Sequence, residues 1–207
     1  MESSQKRSRR FANAAVLFES GLIGLAVFLG WLMQRNPLPG VRAAPELWPD
    51  ALAVAWGALA AAPMLMGLML VERYPVGALR RLQQTVEAQL VPLVRHWTVP
   101  QMALVSLAAG FGEEMLFRGL LQSALADRLP GTAGLVIAVV ATSAVFGACH
   151  WVTGTYALLA GMVSIYLGLL LVAFDNLLVP AVAHALYDFV ALAYLSSSRG
   201  AGRVADG

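Results

Sequence analysis

The chain has 207 residues, of which 59% are hydrophobic and only 13% charged, with a net charge of +2. A soluble domain runs nearer half apolar and a quarter charged, and a mean hydropathy of +0.70 marks a polytopic membrane protein. The basic residues do not interleave with aromatics as in a nucleic-acid footprint, so no nucleic-acid partner is expected. The single cysteine, Cys149, excludes an internal disulfide and a Cys-x-x-Cys metal site.

Residues 1–10 are a polar, basic stretch, read as a disordered cytoplasmic arm. The apolar run after it is too long for a signal h-region and ends without a small-residue cleavage site, so residues 11–33 are a retained first span. Glu19 is its lone carboxylate, read as a helix-packing contact. Residues 34–50 form a loop holding Pro37, Pro39, Pro45 and Pro49, and residues 51–71 form the second span. In residues 72–97, Leu79, Leu82, Val86 and Leu90 recur at helical spacing among arginines, which predicts an amphipathic helix on the membrane surface. His96, beside Trp97, reads as a surface anchor.

Residues 100–126 are the third span and contain Phe111-Gly112-Glu113-Glu114-Met115-Leu116-Phe117-Arg118. Pro130-Gly131 is a turn. Spans four (132–151) and five (156–174) are joined by a few residues, which predicts an antiparallel hairpin. Asp175-Asn176 turns the chain into span six (177–195), and residues 196–207 form a Ser/Gly-rich tail read as flexible. The expected fold is therefore an all-α polytopic membrane helix bundle of about six transmembrane helices plus an interfacial helix. Its parts are the arm (1–10), two N-terminal spans with the interfacial helix (11–98), a four-helix core (99–195) and the tail (196–207).

Six spans put both termini on one side. That side holds Lys6, Arg7, Arg9, Arg10, Arg73, Arg80, Arg81, Arg95, Arg199 and Arg203, whereas the other holds Arg35, Arg42 and Arg128. The positive-inside rule then makes both termini cytoplasmic.

Ionisable residues inside apolar spans are functional candidates, because burial without a partner is costly. Three spans hold them. Glu114 and Arg118 are four apart and share a helix face, where they can pair in low dielectric. Glu113 is rotated about 100° away by the 3.6-residue period and is left without the arginine. A carboxylate desolvated in this way is a candidate general base. His150 follows Phe146 by one turn at the end of span four, and His184 and Asp188 lie one turn apart in span six. Cys149 reads as an inert small residue.

Together, Glu113-Glu114-x-x-x-Arg118, Phe146-x-x-x-His150 and His184-x-x-x-Asp188 resemble the three ordered motifs of the CAAX-protease and bacteriocin-processing (CPBP, or Abi) family, which includes the type II CAAX prenyl endopeptidases. The resemblance covers roughly residues 100–195. Position 188 carries Asp where many members have Asn, and a carboxylate does not donate a hydrogen bond unless protonated. The resemblance implies an intramembrane endopeptidase in which residues 99–195 are the catalytic core. Glu113 would be the general base, polarising water with His150. His184 and Asp188 would hold the scissile carbonyl oxygen, and Glu114, Arg118 and Phe146 would support the site.

No cofactor is expected on this reading. The alternative is a Zn²⁺ metalloprotease using Glu113, His150, His184 and Asp188 as ligands, although the chain lacks the His-Glu-x-x-His arrangement that puts two ligands and a base on one helix. Two readings from other classes stand beside the enzyme: a non-catalytic membrane scaffold or immunity protein of the same fold, and a proton-coupled carrier, which the absence of an internal repeat disfavours. The expected partners are the lipid bilayer and a membrane-anchored or lipidated protein or peptide substrate. The short loops and Ala/Leu-rich spans suit a bacterial inner membrane, where an unmodified tail stands beside a prenylated Cys-a-a-X peptide as substrate.

Overall fold

The computed structural model describes residues 2–42 and 47–198. Within them the regular structure is helical: α1 (Glu2–Leu32), α2 (Leu47–Arg73), α3 (Gly77–Gln89), α4 (Val91–Val94), α5 (Val99–Glu114), a π-helical section (Met115–Gln122), α6 (Ser123–Arg128), α7 (Gly131–Cys149), α8 (Gly154–Phe174) and α9 (Leu178–Ser198). Five of these helices, α1, α2, α7, α8 and α9, are long and apolar enough to cross a membrane. The remaining pass expected from the sequence is the unbroken helical run 99–128, about 45 Å long at 1.5 Å per residue. It carries the charged motif and is interrupted only by a change of helix type.

Outward faces are apolar: Leu17, Phe18, Trp31, Met66, Leu107, Leu158 and Leu169 are all exposed. A water-soluble fold would bury most of such a set, whereas a lipid-facing surface has no reason to. The interior instead uses small residues. α5 packs against both α1 and α9, and glycines set the distances. A Cβ at Gly110 would lie 2.8 Å from the Ala181 carbonyl oxygen and 2.8 Å from Ala185 Cβ. One at Gly112 would lie 2.7 Å from the Glu19 carbonyl oxygen. These are backbone-to-backbone approaches that lipid-embedded helices need for van der Waals gain. Gly110→Ala is therefore expected to push α5 off α9 at the cost of overpacking, about 1–3 kcal/mol. A fall in thermal unfolding temperature in detergent would show it, and an unchanged temperature would contradict the close approach.

Two expectations about the N-terminal half change. Residues 2–10 are not a disordered arm but the first turns of α1. Ser8 is buried, its hydroxyl donates to the Leu93 carbonyl at 2.6 Å, and the Trp97 indole donates to the Ser8 carbonyl at 3.2 Å. The polar stretch is thus held by the segment before α5, a contact too distant in sequence for composition to show. The amphipathic stretch divides into α3 and α4. Leu82 is buried, Leu79, Val86 and Leu90 are half-buried, and Arg80 and Arg81 are exposed, so the apolar face turns inward as its spacing implied. Residues 196–198 continue α9; the rest of the tail and Pro45 lie outside the described residues.

At the other end of the bundle, the Asn176 amide donates to the Gly40 carbonyl at 3.1 Å and to Asp50 Oδ1 at 2.9 Å. The Leu177 N–H donates to the Pro39 carbonyl at 3.0 Å. The α8–α9 turn depends on Asp175 in the left-handed region, φ 47°, which aspartate tolerates better than most residues. This turn sets where α9 begins, and hence the height of His184.

Candidate active site

The helical run 99–128 brings both carboxylates to the middle of the bundle. Its start is fixed by a capping box: the Thr98 N–H donates to Gln101 Oε1 at 3.0 Å, and Pro100 sits in the first turn, where its missing N–H is not needed. After Glu114 the helix widens. The Ser123 N–H reaches the Arg118 carbonyl five residues back, and the Ser123 hydroxyl donates to the same oxygen at 2.9 Å. π-helical sections of this kind are rare and concentrate at functional sites.

Glu114 and Arg118 form the anticipated pair, with Arg118 Nη1 2.8 Å from Glu114 Oε1. Both side chains are essentially inaccessible, at 0% and 1% exposure. The same Glu114 oxygen receives His184 Nδ1 at 2.8 Å. Arg118 Nη2 donates to the Ser164 carbonyl at 2.9 Å and to Ser164 Oγ at 2.8 Å, and Ser164 Oγ bonds Ser143 Oγ at 3.0 Å. One polar chain therefore crosses the bundle from α9 through the central run to α8 and α7. Neither serine stood out in the sequence. Their only signal was a hydroxyl residue in an apolar span, which is also what ordinary helix packing supplies.

Glu113 faces elsewhere and makes no ion pair with Arg118. His150 Nε2 lies 3.7 Å from its Oε1, and His184 Nε2 lies 3.9 Å from its Oε2. Glu113 Oε2 is buried with no hydrogen-bond partner among the described residues. Adjacent carboxylates are thus divided in surroundings: Glu114 Oε1 is tied to a cation and a histidine, while Glu113 looks at two imidazole nitrogens and accepts no hydrogen bond; Glu114 Oε2 is likewise buried without a partner among the described residues. Asp188 Oδ2 lies 3.5 Å from His184 Nε2. All four candidate catalytic residues therefore converge, with Asp188 reaching the others through His184.

Ring orientation is set by packing. His150 Nδ1 lies 2.8 Å from the Phe146 carbonyl. A carbonyl only accepts, so Nδ1 carries a proton and Nε2 is turned to Glu113. Phe146 stacks on the His150 ring at 4.3 Å and lies under the Arg118 guanidinium at 4.9 Å. Its ring also meets Phe117 edge-on at 5.0 Å. Phe146 therefore contacts both the free and the tied half of the site. Cys149 is exposed and takes no part. His96 is exposed as well, accepting from Arg95 Nε at 3.0 Å.

Glu19 Oε2 is buried with no hydrogen-bond partner among the described residues, and its carboxylate is within electrostatic reach of Glu113, Asp188 and His184. The sequence could not reveal this, because nothing in it says which face of α1 meets α5. Among the described residues, no group of three or more His, Cys, Asp and Glu side chains is spaced to hold a metal ion.

Residues 95–190 match the family model described as Type II CAAX prenyl endopeptidase Rce1-like. The resemblance read from the three motifs holds over this segment, which contains every residue of the polar cluster from Glu113 to Asp188. No curated protein and no solved structure gives a significant match to the chain. The family is one of endopeptidases, and its match together with the apolar helices makes the chain an integral membrane protein.

Proposed function

We propose that this Rce1-like chain is an intramembrane endopeptidase that hydrolyses membrane-anchored or lipidated proteins or peptides near their C-termini, using a water activated by Glu113 and His150. The observation that carries the reading is the asymmetry of the two glutamates. Each keeps one buried oxygen without a hydrogen-bond partner among the described residues, but Glu114 Oε1 is tied to Arg118 and His184, while Glu113 accepts no hydrogen bond there and faces two imidazole nitrogens at 3.7 and 3.9 Å. A buried carboxylate that accepts no hydrogen bond at either oxygen is costly, and such a group is expected where chemistry needs it.

The chemistry follows from the tautomers. With Nδ1–H given to the Phe146 carbonyl, neutral His150 offers its Nε2 lone pair toward Glu113. Two acceptors 3.7 Å apart suit a water that donates one proton to each. As the water oxygen bonds to the scissile carbonyl carbon, Glu113 takes its proton. His184 gives Nδ1–H to Glu114, so the imidazolium form is the one with a proton left at Nε2 for the developing oxyanion. Collapse breaks the C–N bond, and Glu113 returns its proton to the leaving amine. Glu114, Arg118 and Ser164 position His184 and the central helix and do not touch the substrate.

The Lys/Arg distribution supports cytoplasmic termini and entry of the substrate from that leaflet, and the short loops and Ala/Leu-rich spans suit a bacterial inner membrane. The reading is tested by reconstituting the purified chain in liposomes with membrane-anchored, internally quenched peptides. Cleavage by wild type that is lost in His184→Ala is the expected result. A chain that cleaves none of them, and whose cellular phenotype survives both Glu113→Ala and His184→Ala, would instead be a scaffold or immunity protein of the same fold.

A further inference from the structure

The oxyanion step leaves a shortage of donors, and the structure holds a side chain suited to fill it. Tetrahedral intermediates in water-excluded sites are held by preorganised donors, of which one imidazolium N–H supplies a single bond. Asp188 is an acceptor, and its Oδ2 faces His184 Nε2 at 3.5 Å. The Arg118 guanidinium is fully buried and turned to Glu114 through Nη1 and to Ser164 through Nη2, and Glu113 has no donor to give as the base.

Tyr156 is placed differently. The α7–α8 hairpin turns at His150, and α8 starts at Thr153, whose hydroxyl caps the helix by accepting the Tyr156 N–H at 3.1 Å. This capped first turn holds the Tyr156 ring across from His150, with centroids 6.4 Å apart. The residue is half-buried, and its hydroxyl has no hydrogen-bond partner among the described residues. The phenol is within electrostatic reach of Asp188, Tyr187 and Glu113. A tyrosine in apolar surroundings normally finds a partner for its O–H; this one keeps a neutral donor free at the edge of the catalytic cluster.

We propose that the Tyr156 hydroxyl, set beside His150 by the capped start of α8, donates a hydrogen bond to the scissile carbonyl oxygen alongside His184. The proposal rests on the hydrolytic reading above and deepens it. No group is transferred: the phenol keeps its proton throughout and only shares it more strongly as negative charge develops on the carbonyl oxygen.

The test uses the full chain in liposomes with a membrane-anchored quenched peptide that wild type cleaves. Tyr156→Phe removes the hydroxyl and keeps the ring. It is expected to lower kcat by about 10²-fold, the scale for loss of one oxyanion donor, with KM within about twofold and the unfolding temperature unchanged. Asp188→Asn introduces a carboxamide donor, so in that background Tyr156→Phe should cost less than about tenfold, a non-additivity expected of groups serving one atom. Three results would overturn the proposal. They are an unchanged kcat in Tyr156→Phe, a loss equal in both backgrounds, or a loss that tracks a lower unfolding temperature, as for a packing residue. A wild-type chain indistinguishable from Glu113→Gln on every peptide would overturn the hydrolytic reading itself and Tyr156's role with it.

Discussion

Glu113→Gln is expected to reduce cleavage by about 10²–10⁴-fold, the range attributed to a positioned general base, while the protein folds as before. The carboxamide is nearly isosteric and can still bond a water, so substrate binding should survive and the loss should fall on kcat. Stability should be unchanged or slightly higher. Glu113 is 8% exposed with an unpartnered Oε2, so removing its charge relieves a desolvation cost and gives up only the long contacts to His150 and His184, at 3.7 and 3.9 Å. A variant that turns over at the wild-type rate would remove Glu113 from the chemistry. A variant that fails to fold would assign it to the structural network instead.

The opposite pattern is expected next door. Arg118→Ala should destabilise the protein by about 3–5 kcal/mol, the cost of breaking a buried ion pair from one side. The guanidinium bonds Glu114 at 2.8 Å, the Ser164 carbonyl at 2.9 Å and Ser164 Oγ at 2.8 Å, so truncation strands acceptors on two helices. Lysine is a poor substitute, since a single ammonium cannot reproduce the forked geometry. Activity should fall too, because Glu114 also bonds His184 Nδ1. Thermal unfolding in detergent reads the first effect. Replacing Glu114 and Arg118 together by Gln and Met should restore part of the stability but not the activity. If Arg118→Ala unfolds at the wild-type temperature, the chain of bonds from α9 to α7 does not hold the bundle together.

The contrast between these neighbours explains how far the sequence could be read. The 3.6-residue period separates Glu113 from Glu114 by a quarter turn and aligns Glu114 with Arg118, so the division between a paired and an unpaired carboxylate follows from spacing alone. Five of the spans follow from hydropathy, and the sixth is the run whose charges mark it as special. What spacing could not supply is contact between helices. Ser143, Ser164 and Tyr156 are ordinary hydroxyl residues in apolar spans, and only the packing shows that Ser164, bonded to Ser143, holds Arg118 while Tyr156 stands beside His150. Glu19 looked isolated because its electrostatic neighbours are about a hundred residues or more away in the chain. The helical state of residues 2–10 was hidden for the same reason, since Ser8 is held by Leu93 and Trp97. The π-helical section has no composition of its own; it is a backbone consequence of how the central run packs.

The central claim, that Glu113 drives peptide hydrolysis in the membrane, is tested most directly by comparing the C-termini of membrane proteins by mass spectrometry. Cells would carry either wild type or Glu113→Ala at matched expression. Longer, uncleaved C-termini confined to the mutant would establish the activity and name the substrate, and the residues flanking the cut would show whether a lipid-modified cysteine is recognised. Identical termini in the two strains, with the mutant protein still functional in the cell, would contradict the account and leave the polar cluster as a structural network.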